Sequence, residues 1–349
     1  MLNVLLCSHY EGFRPFDEGQ RLYTDDFLEP HRSLKKHLKS VGYHLENIED
    51  NEKNLEEANA ILYFDLPVKG YRKCLTLRTQ VRVWRETLRF LLNLKPDHFE
   101  RSFSVPKNSP KRILLMWESK AITPEHYLPE NHKWFDIILT QDDSLVDNKR
   151  YFKIFNPIFV GPPPENIASF TERNFAVMVN ANKVSRVDGE LYSERRKTAD
   201  YFAKTAPREL DIFGKMWGEH PCAKGAVHDK IKTMSGYKFA ICYENFSTGM
   251  GYITEKIFDC FKSRTVPIYW GAPNIADYVP TNTFIDRSKF QSNEQLYAYL
   301  KAMTSEQFNN YLVAIEEFLK PANFENFSVG RYCQTIEKAL TGGAKSAEI

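Results

Sequence analysis

Short apolar runs alternate with amphipathic stretches along the whole chain. In the first half the apolar runs predict strands at Asn3–Cys7, Ala60–Phe64, Arg112–Trp117, Phe135–Thr140 and Tyr151–Phe155. In the second half they predict strands at Phe175–Val179, Leu210–Phe213, Tyr237–Tyr243, Val266–Trp270 and Thr283–Ile285. Between them the apolar positions recur at helical spacing. His31–Lys39 carries Leu34 and Leu38 on one face, and Leu77–Leu94 carries Val81, Trp84, Leu88 and Leu91. Further helices are predicted at Glu190–Lys204, Thr254–Ser263, Asn293–Met303, Ser305–Leu319 and Val329–Leu340. Strand and helix in alternation predict an α/β chain built on mostly parallel sheets.

The run Asn156–Glu165, with Pro157, Pro162, Pro163 and Pro164, breaks this rhythm. Consecutive prolines neither continue a helix nor sit in a central strand. The run reads as an interdomain connection, the alternative being a long surface loop. It divides the chain into an α/β domain over 1–160 and a second over 161–349 that ends in helices. A length of 349 residues fits two domains at roughly 150 residues each. Two such domains favour a ligand in the cleft between them, beyond the carboxyl ends of strands.

Composition narrows the partners. The 47 basic and 45 acidic side chains leave a net charge of +2, too little for a chain that coats nucleic acid. No apolar run is long enough to span a bilayer, and Met1–Cys7 lacks the basic leader of a secretory signal. The six cysteines are scattered without a CxxC pair. That suggests neither a zinc site nor a disulfide framework, and it favours a reducing, cytoplasmic location. The histidines are dispersed and no DxD pair is present, so no metal ligand set is predicted.

Candidate chemistry concentrates in residues 236–273. The strand Phe239–Tyr243 runs into Glu244-Asn245, then a glycine-bearing loop, then Tyr252-Ile253-Thr254-Glu255-Lys256 at a helix start. Thr254 is placed to cap that helix through its side-chain oxygen. Its amides and dipole end suit an anion, and Lys256 adds a cation. Glu255 suits a ribose diol better than a phosphate. The bland alternative is a first turn with an ordinary acidic residue and a solvated lysine. Neither a dinucleotide fingerprint nor a P-loop is present.

These residues resemble the α1,3-fucosyltransferase family. The segments Tyr237-Lys238-Phe239, Tyr243-Glu244-Asn245, Gly251–Lys256 and Val266–Gly271 match its signature in order and spacing, in a form similar to the bacterial branch. Trp117-Glu118-Ser119 with Pro124 resembles the family's acceptor-side motif, with Lys120 where the family often has proline. Ser193-Glu194-Arg195 followed by Leu210–Gly214 resembles its arginine-bearing stretch. Arg196 is adjacent, so the match is open to a shift by one. Phe202 at i+7 from Arg195 favours Arg195, because the two share a helix face. Asn182 is a weaker match to an asparagine after the first strand of the donor domain.

The resemblance implies a GT-B fold of two facing Rossmann-like domains, with the nucleotide sugar held mainly by the C-terminal one. It implies an inverting transfer of L-fucose from GDP-β-L-fucose to a glycan hydroxyl, such as O3 of GlcNAc. Glu118 would be the general base, with Glu125 its nearest rival. Arg195 and Lys256 would hold the diphosphate, Glu255 the ribose, and Glu244, Asn245 and Tyr252 would line the donor site. No cofactor is required on this reading, a divalent cation being at most stimulatory. The expected acceptor is an oligosaccharide or a glycolipid such as a lipopolysaccharide, with peripheral membrane association at the cytoplasmic face left open. The alternatives are a transferase for another GDP-activated deoxysugar and a non-catalytic nucleotide- or sugar-binding relative.

Overall fold

The structure is a computed structural model that describes residues 1–8, 13, 15–16, 25–48, 57–66, 110–161, 164–165 and 167–342. The predicted helix Leu77–Leu94 lies outside these residues, as do Pro162 and Pro163. The chain divides into two compact units. One comprises Met1–Thr140, Leu145–Ile154 and Val329–Ile349, and the other Gln141–Ser144 and Phe155–Ser328.

In the first unit the described strands are β1 (Leu2–Ser8), β2 (Tyr43–Asn47), β3 (Ala60–Phe64), β4 (Lys111–Met116), β5 (Ile137–Thr140) and β6 (Tyr151–Lys153). They form a parallel sheet in the order β2-β1-β3-β4-β5-β6. Apolar residues stand on both sides of the inner strands because both sheet faces are covered. Val4, Leu6, Leu62, Phe64, Ile113 and Leu115 face one core. Their neighbours Leu5, Cys7, Ile61, Leu114 and Met116 face the other side. Helix α1 (Asp25–Ser40) lays Leu28, His31, Leu34 and Leu38 on the first face. It begins well before His31 and carries Pro30 inside it.

In the second unit the strands are β7 (Asn174–Val179), β8 (Leu210–Phe213), β9 (Ala223–Gly225), β10 (Tyr237–Tyr243), β11 (Val266–Trp270) and β12 (Ile285–Asp286). They too are parallel, in the order β12-β11-β10-β7-β8-β9. This is the doubly wound Rossmann order, and it reverses between β7 and β10. Helices α2 (Tyr192–Thr205), α3 (Lys230–Ser235), α4 (Glu255–Lys262), α5 (Asn293–Ala302) and α6 (Ser305–Phe318) belong to this unit. Ile257, Phe258 and Phe261 of α4 pack on Val177, Ala240 and Cys242. Ala199 and Phe202 of α2 pack on the opposite face with Met178, Phe239 and Ile241.

One expected assignment is corrected. The order of the sequence places helix α7 (Val329–Thr341) in the second domain, yet it packs in the first unit. Tyr332, Cys333, Ile336, Ala339 and Leu340 join the core beneath α1. Lys111 at the start of β4 donates to the carbonyls of Ala339 (2.6 Å) and Leu340 (3.3 Å), satisfying acceptors that a helix end leaves open. An amphipathic helix needs an apolar face to cover, and its place in the sequence does not say which core supplies that face.

Candidate functional site

Ligands of a doubly wound sheet bind beyond the strand ends where the strand order reverses. In the second unit that place is the end of β10. The amide of Glu244 donates to Trp270 O at 2.7 Å, which extends the ladder by one residue. The Glu244 side chain is fully buried. A buried carboxylate is costly unless it is paired and hydrogen-bonded, and Glu244 is both. Its Oε1 accepts from the Thr254 amide at 2.9 Å, and its Oε2 lies 3.0 Å from Lys256 Nζ. Thr254 Oγ1 stands between them, 3.0 and 2.8 Å from the two Glu244 oxygens and 2.8 Å from Lys256 Nζ. With one proton to give, the hydroxyl donates to the carboxylate and accepts from the ammonium.

This corrects the expected role of Thr254. It occupies the N-cap position of α4, but its side chain makes no capping bond. The oxygen is spent on Lys256 and Glu244 instead. Glu244 likewise works from behind the helix start, where its negative charge meets the positive end of the helix dipole. Gly271 is required beside it. A Cβ there would come within 2.3 Å of the Tyr269 hydroxyl and 2.6 Å of Glu244 Cγ.

Lys256 is not the solvated lysine of an ordinary first turn. Burial works against its charge, but Glu244 and then Glu255 outweigh burial and raise its pKa above the ordinary lysine value. Glu255 reaches solvent, with its side chain 53% exposed, and lies 3.6 Å from Lys256 Nζ. Desolvation among its packed neighbours would raise its carboxyl. The ammoniums of Lys256 and Lys230 override that and lower it to about 2. Lys230 on α3 is itself tied to Asp259 of α4 at 2.6 Å. The helix entrance therefore presents an ionised carboxylate toward solvent, with an ammonium fixed behind it.

Arg195 lies on the buried face of α2 with Tyr192, Ala199 and Phe202, at 3% exposure. Its Nη2 donates to Tyr243 O at 2.6 Å and to Asn245 Oδ1 at 2.9 Å, at the end of β10. Tyr192 stacks under the guanidinium at 5.0 Å. Burial lowers the pKa of Arg195, with Tyr192, Glu244 and Tyr252 among the neighbours opposing it. Its Nε has no hydrogen-bond partner among the described residues. Tyr252 is buried on the turn leading into α4. Arg195, Glu244, Asn245, Tyr252, Glu255 and Lys256 thus form one cluster.

Arg196 and Asn182 stand apart from it. Arg196 donates to Lys183 O at 2.6 Å and lies 3.5 Å from Asn182 Oδ1, in the loop that follows β7. The Asn182 amide donates to Lys215 O after β8 at 3.0 Å. Gly214 permits that meeting of loops, since a Cβ on it would fall 2.1 Å from Asn180 O.

In the first unit Glu118 follows β4. Trp117 turns away from it into the core, against Phe64 at 4.9 Å and His31 at 6.2 Å. The backbone of Glu118 is held on both sides. Its amide donates to Asp65 Oδ1 at 3.3 Å, and its carbonyl accepts from the Tyr127 hydroxyl at 3.1 Å. Glu125 sits in the single helical turn Pro124–Tyr127, where its carbonyl accepts from Asn131 at 2.7 Å. Asp65 was not singled out in the sequence. The signal available was a charged residue closing the apolar strand Ala60–Phe64, ahead of buried Leu66.

Among the described residues no group of three or more His, Cys, Asp or Glu side chains is placed to hold a metal ion. No helix among them is long and apolar enough to cross a membrane.

The chain matches known proteins. Residues 173–342 match the C-terminal domain of glycosyltransferase family 10, described as fucosyltransferase. An α-(1,3)-fucosyltransferase of Helicobacter pylori is 37% identical over 91 residues, which is 26% of this chain and 19% of that protein. An α-(1,4)-fucosyltransferase of Arabidopsis thaliana is 47% identical over 95 residues, 27% of this chain and 23% of that one. The matched stretches therefore span about a fifth of these relatives' own length. The structure of an α1,3-fucosyltransferase with GDP-fucose is similar in fold over 100% of this chain and 91% of that one, with a TM-score of 0.53 at 17% identity. Two Rossmann-like units of the GT-B class are thus the architecture here. Residues 173–342, which carry the cluster, are thus a domain of the glycosyltransferase family 10 (fucosyltransferase) C-terminal type.

Proposed function

We propose that the protein transfers L-fucose from GDP-β-L-fucose to a sugar hydroxyl with inversion at the anomeric carbon. The observation that carries this reading is the buried Glu244–Thr254–Lys256 network at the start of α4, beside Arg195, within the family 10 domain. Arg195 and Lys256 receive the diphosphate, whose negative charge grows as the bond from the anomeric carbon to the phosphate oxygen breaks. Both cations are fixed by protein partners before donor arrives, so little reorganisation is left for the reacting step. Glu255, ionised and solvent-facing, accepts from the ribose hydroxyls. Asn245 and Tyr252 border the nucleotide.

Glu118 takes the acceptor proton as the acceptor oxygen attacks the anomeric carbon, with an oxocarbenium-like transition state as in inverting glycosidases. The acceptor is an oligosaccharide or glycolipid. Among the relatives, one is named for an α1,3 and another for an α1,4 linkage, so the stretches shared with them are compatible with either product. No resident cofactor takes part, and a free divalent cation serves at most to help GDP leave.

The test is a donor panel with a fixed oligosaccharide acceptor mixture. GDP-fucose should be consumed and fucosylated product formed, while other GDP-deoxysugars compete poorly. Preferential consumption of a different GDP-sugar would replace fucose as the substrate. Binding of GDP without turnover of any donor would mark a non-catalytic relative.

A further inference from the structure

We propose that Asp65 and Tyr127 are positioning residues that clamp the backbone of Glu118 and so set the direction of the catalytic carboxylate. The inference rests on the reading of Glu118 as the base.

Asp65 follows β3 beside β4. Its amide donates to Leu115 O at 2.9 Å, so the residue is locked to the neighbouring strand. Its backbone then turns to φ +60°, a left-handed conformation in which Asp and Asn are the best tolerated non-glycine residues. The turn folds the carboxylate back over the end of β4, where it is fully buried. Oδ1 accepts from the Trp117 amide at 2.7 Å and the Glu118 amide at 3.3 Å. His126 Nδ1 approaches the same oxygen at 3.2 Å. A buried carboxylate in a strained turn is a costly feature, and such features persist at functional sites more than elsewhere.

The loop closes from the other side. Ser119 O accepts from the amides of Ile122 (2.9 Å) and Thr123 (3.0 Å), and the His126 amide donates to Thr123 O at 3.0 Å. That places Tyr127 so that its hydroxyl donates to Glu118 O at 3.1 Å. His126, its neighbour, is fully buried, and its carbonyl meets His132 Nε2 at 2.6 Å. The contacts form a ring: Asp65 to Glu118, Glu118 to Tyr127, and His126 back to Asp65. Both peptide groups of Glu118 are therefore fixed by side chains from two other segments, and neither of those side chains is itself the base. A base must be aimed as well as ionised, and a small misplacement costs rate rather than binding.

The test uses the full chain with Tyr127→Phe, Asp65→Ala and Asp65→Asn, each made in the native background and with Glu118→Gln. GDP affinity is read by calorimetry and kcat at saturating acceptor. Tyr127→Phe and Asp65→Ala should lower kcat by on the order of 10- to 100-fold with GDP affinity unchanged. Asp65→Asn, which keeps an accepting oxygen and suits the same φ, should recover most of the loss. In the Glu118→Gln background the same changes should cost little, because there is no base left to aim. Native kcat in Tyr127→Phe and Asp65→Ala overturns the clamp alone. An equal loss in both backgrounds also overturns it, since the residues would then act on general integrity. Should Asp65→Ala fail to fold, Tyr127→Phe decides by itself. Native kcat in Glu118→Gln overturns the base assignment and the clamp with it.

Discussion

At Lys256 one ammonium serves a buried carboxylate, a threonine hydroxyl and a solvent-facing carboxylate. Removing it leaves Glu244 buried without its nearest cation. Lys256→Ala and Arg195→Ala should therefore both lower the melting temperature as well as donor affinity, since each removes a cation held by buried protein partners. Each lost charge-assisted contact to the diphosphate is worth on the order of 1.5–3 kcal/mol. Calorimetry with GDP and a thermal melt separate the two effects, and unchanged affinity in both variants would remove them from the phosphate site. The charges should also be insensitive to pH. A carboxyl lowered to about 2 stays ionised down through the ordinary carboxylate range, and a raised lysine stays protonated above neutrality. GDP-fucose affinity should be flat from about pH 5.5 to about pH 9. A step near neutrality would show that another group controls the site. Glu118→Gln should keep donor affinity and lose about 10²- to 10⁴-fold in kcat, with Glu125→Gln close to native. Reversal of that pair would move the base along the loop.

Two helices show what holds the first unit together. His31 on α1 is buried among Phe13, Phe64 and Trp117, and burial lowers its pKa to about 3. The unfolded chain takes up that proton near pH 6.5, while the folded one refuses it until about pH 3. The stability this group confers is present above about pH 6.5 and falls with acidification, by roughly 1.4 kcal/mol per pH unit. His31→Phe should flatten that part of the pH–stability profile; an unchanged profile would contradict the assignment. Helix α7 adds Tyr332, Ile336 and Leu340 to the same core. Three such side chains at about 1.5–3 kcal/mol each rival a typical domain's whole stability. Truncation after Ser328 should therefore leave the first unit unfolded, as near-ultraviolet circular dichroism would show. The strands β3, β8, β10 and β11 were legible residue for residue, because inner strands of a covered parallel sheet are mostly apolar, here interrupted by a polar side chain at Asp211 and Lys238. β2, which alternates as Tyr43-His44-Leu45-Glu46-Asn47, and the polar edge strand β9 were missed, since edges carry no such run. The destination of α7 was illegible for a different reason: helical periodicity reports a face, never its partner.

Over the whole molecule, the grouping of Glu244, Asn245, Tyr252, Glu255 and Lys256 was readable because these residues lie in one segment around β10 and α4, with Arg195 added from α2. The clamp on Glu118 was not readable, because Asp65 and Tyr127 reach it from 53 and 9 residues away. In the proposed function Arg195 and Lys256 neutralise the charge of the leaving GDP. Activity should then persist in excess EDTA, and complete loss that manganese restores would contradict it. Inverting transfer of fucose from GDP-β-L-fucose can be read by proton NMR of the product formed from that donor with an oligosaccharide acceptor, at the fucose anomeric proton from the first turnover. A single α-linked fucosyl product is expected, with one GDP released per transfer. A β-linked product, or free fucose and GDP with no fucosylated acceptor, would contradict it.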